Sequence, residues 1–186
     1  PLLPRHVRRE TIQANGVPCE WLIPKGAAGD AVPLYLHGGG GALGLYNPHR
    51  LMVGRLARKA GIRTLMVDYR LAPEHPHPAG TEDCVIAYRW LLEQGCKPDN
   101  IAIGGDSAGG HLTLETLLTA RDAGDPLPAA GVCICPATDL ARTGESIQTN
   151  ADRDAVLSPL FVQRMVEWYC PGKDPRDPTI SPLYAE

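Results

Sequence analysis

Four short, mostly apolar runs stand out along the chain, at residues 32–36, 62–67, 101–103 and 131–135. A strand covered on both faces reads this way, without polar alternation. Longer stretches between them have helical spacing. Asn47-Pro48 predicts a helix start, with asparagine as N-cap and proline in the first turn, running to about Ala60 before Gly61. Residues 81–94 predict a second helix ended by Gly95, and 111–123 a third, stopped at Gly124-Asp125-Pro126. Buried strands alternating with helices imply parallel crossovers and an α/β fold.

Both ends of the chain depart from this rhythm. Residues 5–13 alternate weakly, Asn15-Gly16 is a strong hairpin signal, and 17–23 returns as the partner strand. Residues 137–154 are polar and irregular. Ser158-Pro159 then predicts a capped helix to Tyr169, followed by a proline-rich loop at 171–182. This region predicts an excursion over the sheet, not another strand–helix unit. There is no internal repeat.

Composition narrows the function classes. The chain of 186 residues suffices for one domain with a real core. A net charge of −3 gives no basic footprint for nucleic acid, and no apolar stretch is long enough to cross a bilayer. No signal-peptide pattern opens the chain, and a start at Pro1 predicts a trimmed N-terminus. The six cysteines lack zinc spacing. Cys133 and Cys135 are expected to share one strand face, and free buried thiols in a reducing cytoplasm are the expectation for the set.

The chemistry concentrates at Gly104-Gly105-Asp106-Ser107-Ala108-Gly109-Gly110, which follows an apolar strand and precedes a helix. It contains G-x-S-x-G at Gly105, Ser107 and Gly109. Strand, tight turn, serine and helix, in that order, are the context of a nucleophile elbow. Small residues on either side of the serine let strand and helix cross closely. A second glycine cluster, Gly38 to Gly41, follows strand 32–36. Gly39, Gly41 and Gly44 also fit G-x-G-x-x-G, with Asp68 ending the next strand, so a dinucleotide site is one reading. A dinucleotide site needs the glycines to open the helix, whereas the predicted helix starts beyond them at Asn47. The alternative use is a free loop whose backbone N–H groups stabilise an oxyanion, with Ala108 N–H as a further donor from the elbow.

His37-Gly38-Gly39-Gly40, Asp68-Tyr69-Arg70-Leu71-Ala72-Pro73-Glu74 and Gly105-Asp106-Ser107-Ala108-Gly109-Gly110 resemble the signatures of the hormone-sensitive lipase-like α/β-hydrolases, the bacterial family IV carboxylesterases. Residues 174–178 and 181–184 are similar to that family too. The resemblance implies an α/β-hydrolase core at 1–136, with a mostly parallel sheet flanked by helices. It implies a partial helical cap at 137–170 and a proline-rich connection at 171–186 to a C-terminal part, with further strands, that this chain lacks. Ser107 would be the nucleophile, and the Gly39, Gly40 and Ala108 N–H groups the oxyanion hole. The catalytic aspartate and histidine are expected outside this chain. The implied activity is hydrolysis of short-chain carboxylic esters with no cofactor and no metal. The expected partners are a small-molecule ester and the remaining C-terminal part of the same protein, with a second copy as the other cover for the sheet edge. The alternative is a non-catalytic small-ligand binder on the same fold, as in the plant gibberellin receptors.

Two positions depart from the family pattern. Gly41 stands where an aromatic residue is usual, predicting a roomier pocket and a looser loop. His111 stands where the family often has asparagine. Among the six histidines, His37 is expected to hydrogen-bond within its own loop, His75 and His77 to be structural or exposed, and His111 to point away from Ser107. Asp68 and Glu74 are expected to fix loops. Tyr69 and Trp168 are candidates for a pocket wall, with core packing as their default.

Overall fold

Asn15 and Gly16 both adopt left-handed φ values, 49° and 93°. That geometry matches the strand twist and closes a two-residue hairpin. The hairpin joins β1 (Val7–Ala14) to β2 (Val17–Pro24) in register from Ala14 opposite Val17 to Val7 opposite Pro24. The computed structural model describes residues 3–45 and 47–186, so Pro1 lies outside the described residues.

β3 (Val32–Leu36), β4 (Thr64–Val67), β5 (Ile101–Asp106) and β6 (Ala130–Ile134) complete one six-stranded sheet of order β1-β2-β4-β3-β5-β6. The β1–β2 and β2–β4 pairs are antiparallel, and β3 pairs in parallel with β4 and β5, as β5 does with β6. Three helices supply the crossovers: α1 (Asn47–Ala60), α2 (Ala79–Glu93) and α3 (Ala108–Ala123). Asn47 is itself the first residue of α1, and α2 begins two residues before its expected start. α3 begins directly after Ser107, three residues earlier than the spacing predicts.

Alternate strand residues serve the two faces. Leu34, Leu36, Leu65, Val67, Ile101 and Ile103 pack with Tyr88 and Leu91 of α2 and Leu112 of α3. Leu22, Tyr35 and Met66 face the other way and pack with Val53 of α1. Arg50 anchors α1 by two hydrogen bonds to the buried Glu20 carboxylate, at 2.7 and 2.8 Å. On that side the cover thins beyond β3, leaving Ala102 and Gly104 of β5 half-buried.

The expectation of a buried strand at 131–135 needs correction. β6 is an edge strand, with Val132 53 % and Ile134 45 % exposed. It is apolar, but none of the described residues pairs with its outer edge. It also ends at Ile134, so Cys135 does not continue the face of Cys133. Cys135 takes a left-handed φ of 47°, which breaks the alternation and leaves it exposed. Only Cys19, Cys84 and Cys170 are buried, which corrects the expectation for the other three. All six are free thiols, and burial pushes the Cys19 thiol up to about 12.

After β6 the chain leaves the sheet through α4 (Ser146–Thr149) and α5 (Pro159–Tyr169). Ser158 caps α5 by accepting the Phe161 N–H at 3.2 Å. Tyr169, Cys170 and Ile180 form a third apolar cluster with Leu140 and Val166. The segment at 171–186 turns back onto 138–143. Tyr184 donates to Asp139, Leu183 N–H donates to Thr138 carbonyl, and Ser181 accepts the Leu140 N–H.

Candidate active site

β5 runs into α3 through a single residue, Ser107, at φ 52° and ψ −117°. A non-glycine residue rarely occupies this region, and here the surroundings enforce it. Ser107 N–H donates to Ile134 carbonyl at 2.8 Å, tying the turn to β6. Glycine is required on both sides of the turn. A Cβ at Gly105 would collide with Leu36 carbonyl oxygen, and one at Gly109 would stand 2.6 Å from the Leu36 carbonyl carbon and 2.7 Å from His37 oxygen. The tight crossing lifts Ser107 to the carboxyl end of the sheet, at the N-terminus of α3.

The loop after β3 reaches the same place. Gly39, Gly40 and Gly41 take φ values of 131°, 65° and 70° in succession. The loop is held by the residues from Asp68 onward. The Asp68 carboxylate accepts Leu45 N–H, Tyr69 hydroxyl donates to His37 carbonyl at 2.6 Å, and Ala72 N–H donates to Gly41 carbonyl at 2.8 Å. Arg70 fixes this segment in turn on Asp83, at 3.0 Å. Glu74 is exposed and makes no hydrogen bond among the described residues, so its expected loop-fixing role is not seen.

Asp106, beside the serine, turns away from it and staples the two loops together. It accepts from Tyr35 hydroxyl at 2.6 Å and from Gly38 N–H at 3.0 Å, with His49 Nε2 at 3.6 Å from its other oxygen. Burial would raise its pKa, but His49, Tyr35 and Gly38 N–H outweigh that and hold it down to about 2. Side-chain alternation at the turn predicts only that Asp106 points elsewhere; its partners come from β3, the loop after it and α1, all far away in sequence.

An apolar cavity of about 150 Å³ opens beside Ser107. Gly40, Gly41 and Ala108 line it from the core, and Phe161, Met165 and Tyr169 of α5 from above. Among the described residues, neither a side chain nor a carbonyl hydrogen-bonds to Ser107 Oγ, and none takes the Gly39 or Gly40 N–H. Tyr69 is not in the wall: its ring stacks on His37 at 4.3 Å, in the core. Trp168 lies on the outer side of α5. The space beside Gly41 is not open either, because a Cβ there would stand 2.9 Å from the Tyr169 ring.

The buried histidines are occupied elsewhere. His37 Nδ1–H donates to Gly38 carbonyl at 2.8 Å, and burial lowers its pKa to about 4. His111 lines the cavity, but its Nδ1–H donates to Ala137 carbonyl at 2.8 Å while Nε2 lies 3.0 Å from Glu115. His77 is buried, with Nδ1 3.4 Å from Tyr169 hydroxyl, and burial lowers its pKa although Glu115 pulls the other way. His6 and His75 are exposed. Glu115, His111, His77, Thr81 and Tyr169 thus form one buried polar cluster behind the cavity. Sequence reasoning missed it. Its only local signal is His111 and Glu115 four residues apart on a helix, which as readily describes an exposed pair.

A family model described as the alpha/beta hydrolase fold matches residues 33–186. The chain belongs to that family. Within it, the likeness falls among bacterial hormone-sensitive lipase-type esterases. An esterase of that type, known from a crystal structure, is 50 % identical with a TM-score of 0.95, over all of this chain and 62 % of its own. An acetyl-hydrolase from Streptomyces hygroscopicus is 47 % identical over 90 % of this chain and 56 % of its own. A carboxylesterase from Mycobacterium tuberculosis, NlhH, is 38 % identical over 81 % and 48 % respectively. The chain therefore spans roughly half to three-fifths of the length of these relatives.

Proposed function

We propose that the complete protein is a serine carboxylesterase for short-chain esters. The observation that carries this reading is Ser107, held at φ 52° on a strand–helix crossing and lining an apolar cavity together with Gly40 and Gly41. Ser107 Oγ attacks the ester carbonyl, and the Gly39, Gly40 and Ala108 N–H groups receive the developing oxyanion. A histidine outside these 186 residues accepts the serine proton and returns it to the leaving alcohol, oriented by a carboxylate that is also outside. Water then releases the acyl-enzyme. Residues 1–136 act as core, 137–170 as cap and 171–186 as the connection onward. The onward segment supplies the strand that covers β6, with a second copy of the chain as the competing cover. A reducing cytoplasm suits six free thiols.

The esterase names of the relatives support this reading, as does a relative 43 % identical whose crystal was soaked with p-nitrophenyl butyrate. The occupied histidines favour one competitor, a ligand binder without catalysis. Fluorophosphonate labelling of the complete protein, read by intact mass, separates the two. Covalent label that disappears in Ser107→Ala, with turnover reduced by about 10⁶ as in triad enzymes, is expected. An unlabelled wild type that still binds esters would establish the binder.

A further inference from the structure

The inward face of α5 carries Phe161, Met165 and Tyr169 at four-residue spacing. Exposure falls along that row, from 40 % at Phe161 to 9 % at Tyr169. The Phe161 end is therefore the mouth of the cavity beside Ser107, and Tyr169 stands at its closed end with the buried Leu112 and His111. The same row fills the space that the glycine loop leaves. A Cβ at Gly40 would lie 2.8 Å from Met165 Sδ, and one at Gly41 2.9 Å from Tyr169 Cδ2.

Tyr169 is fixed from behind. Its hydroxyl donates to Glu115 Oε2 at 3.0 Å, and His111 Nε2 lies 3.3 Å from the same hydroxyl. Thr81 hydroxyl donates to the same carboxylate oxygen. The Tyr169 backbone carbonyl accepts His77 N–H at 2.7 Å. The ring is thereby a partition: an apolar cavity on one side, the His77–Glu115–Thr81 cluster on the other. A cavity of about 150 Å³ admits an apolar group the size of benzene, or a chain of about four to six carbons.

We propose that Tyr169, latched by Glu115 and His111, closes the cavity beside Ser107 and limits the length of the apolar chain an ester places there. This rests on the esterase reading. Met165 sets the width of the same passage over Gly40. Tyr169 here determines specificity by its ring, and its hydroxyl positions that ring.

The test uses the complete protein and two ladders of substrates, p-nitrophenyl esters from acetate to decanoate and straight-chain alkyl acetates, each read as kcat/KM. Wild type is expected to fall off beyond about six carbons on one ladder, and that ladder names the side of the ester held in the cavity. Tyr169→Ala should raise the octyl-to-butyl ratio on it by about tenfold or more. Tyr169→Phe keeps the ring and should raise it far less. Met165→Ala provides a second opening of the passage if Tyr169→Ala does not fold, and should raise the ratio in the same direction. A ratio unchanged in Tyr169→Ala and Met165→Ala that still hydrolyse butyl substrates overturns the proposal. So does a wild type that takes decyl and butyl chains equally on both ladders. A wild type that hydrolyses no member of either ladder overturns the esterase reading and this one with it.

Discussion

β5 and β6 are neighbours in one sheet and similarly apolar, yet they meet opposite fates. Ile103 of β5 is completely buried, whereas Val132 of β6 is 53 % exposed. α3 packs against one face of both strands; Ile103 lies opposite Gly131 on that face, whereas Val132 lies opposite Gly104 on the other, where the cover thins. Among the described residues β5 has strand partners on both edges, β3 and β6, and β6 on one edge only. Apolarity records what a strand requires for cover, and the cover itself is a matter of what else is present. The site follows the same division: the serine and the glycine loop lie on the well-packed strands β3 and β5, while the cavity roof is built by the segment that leaves β6.

The largest expected break in this comparison is at the elbow crossing. Gly109→Val should destabilise by about 4 kcal/mol or more, because the new side chain must displace the backbone of Leu36 and His37. A chemical denaturation curve close to wild type would show that the crossing yields more than its geometry suggests. Next, Ile103→Ala should cost about 3–4 kcal/mol by leaving a cavity in the closed core. Ile134→Ala on β6 should cost about 0.5 kcal/mol or less in the same chain. Equal losses at the two positions would mean that β6 is covered after all.

Acid should act at the centre of the sheet and spare its edge. His37 titrates at about 4 in the fold against an ordinary 6.5, because burial disfavours its charged form. Between these values the unfolded chain holds a proton that the folded chain lacks, so stability falls as pH falls through the window. The loss is roughly 3 kcal/mol from pH 6.5 to 4. Asp106, held at about 2 against an ordinary 3.8, contributes stability that is lost only below that window. Urea midpoints of wild type and His37→Asn at pH 7, 5.5 and 4.5 check this; the variant should show the flatter dependence.

The smallest expected effect on stability is Val132→Lys, about 0.5 kcal/mol or less in the 186-residue chain. Its consequence lies in association. Charge on an open edge discourages strand pairing, so light scattering should show less self-association of this chain. Unchanged association would place the contact elsewhere.

Much of this was legible in the sequence because local chemistry left few choices. Asn15-Gly16 had to turn, the apolar runs had to be strands, and G-x-S-x-G between a strand and a helix had to be a tight crossing. Ser158-Pro159 likewise fixed where α5 begins. The family resemblance marked Gly39, Gly40, Ser107 and Ala108, all four placed by local backbone geometry.

Only the tertiary structure decided what depends on residues far apart. That Asp106 binds Tyr35 and Gly38, that Tyr169 fills the space beside Gly41, and that Glu115 gathers His77, His111, Thr81 and Tyr169 all arise where separate elements converge. A buried polar group must find its partner in space, and no spacing along a single helix or strand records which partner that will be. The exposure of β6 is the same lesson in reverse: pattern set its conformation, and the neighbours available to it set its burial.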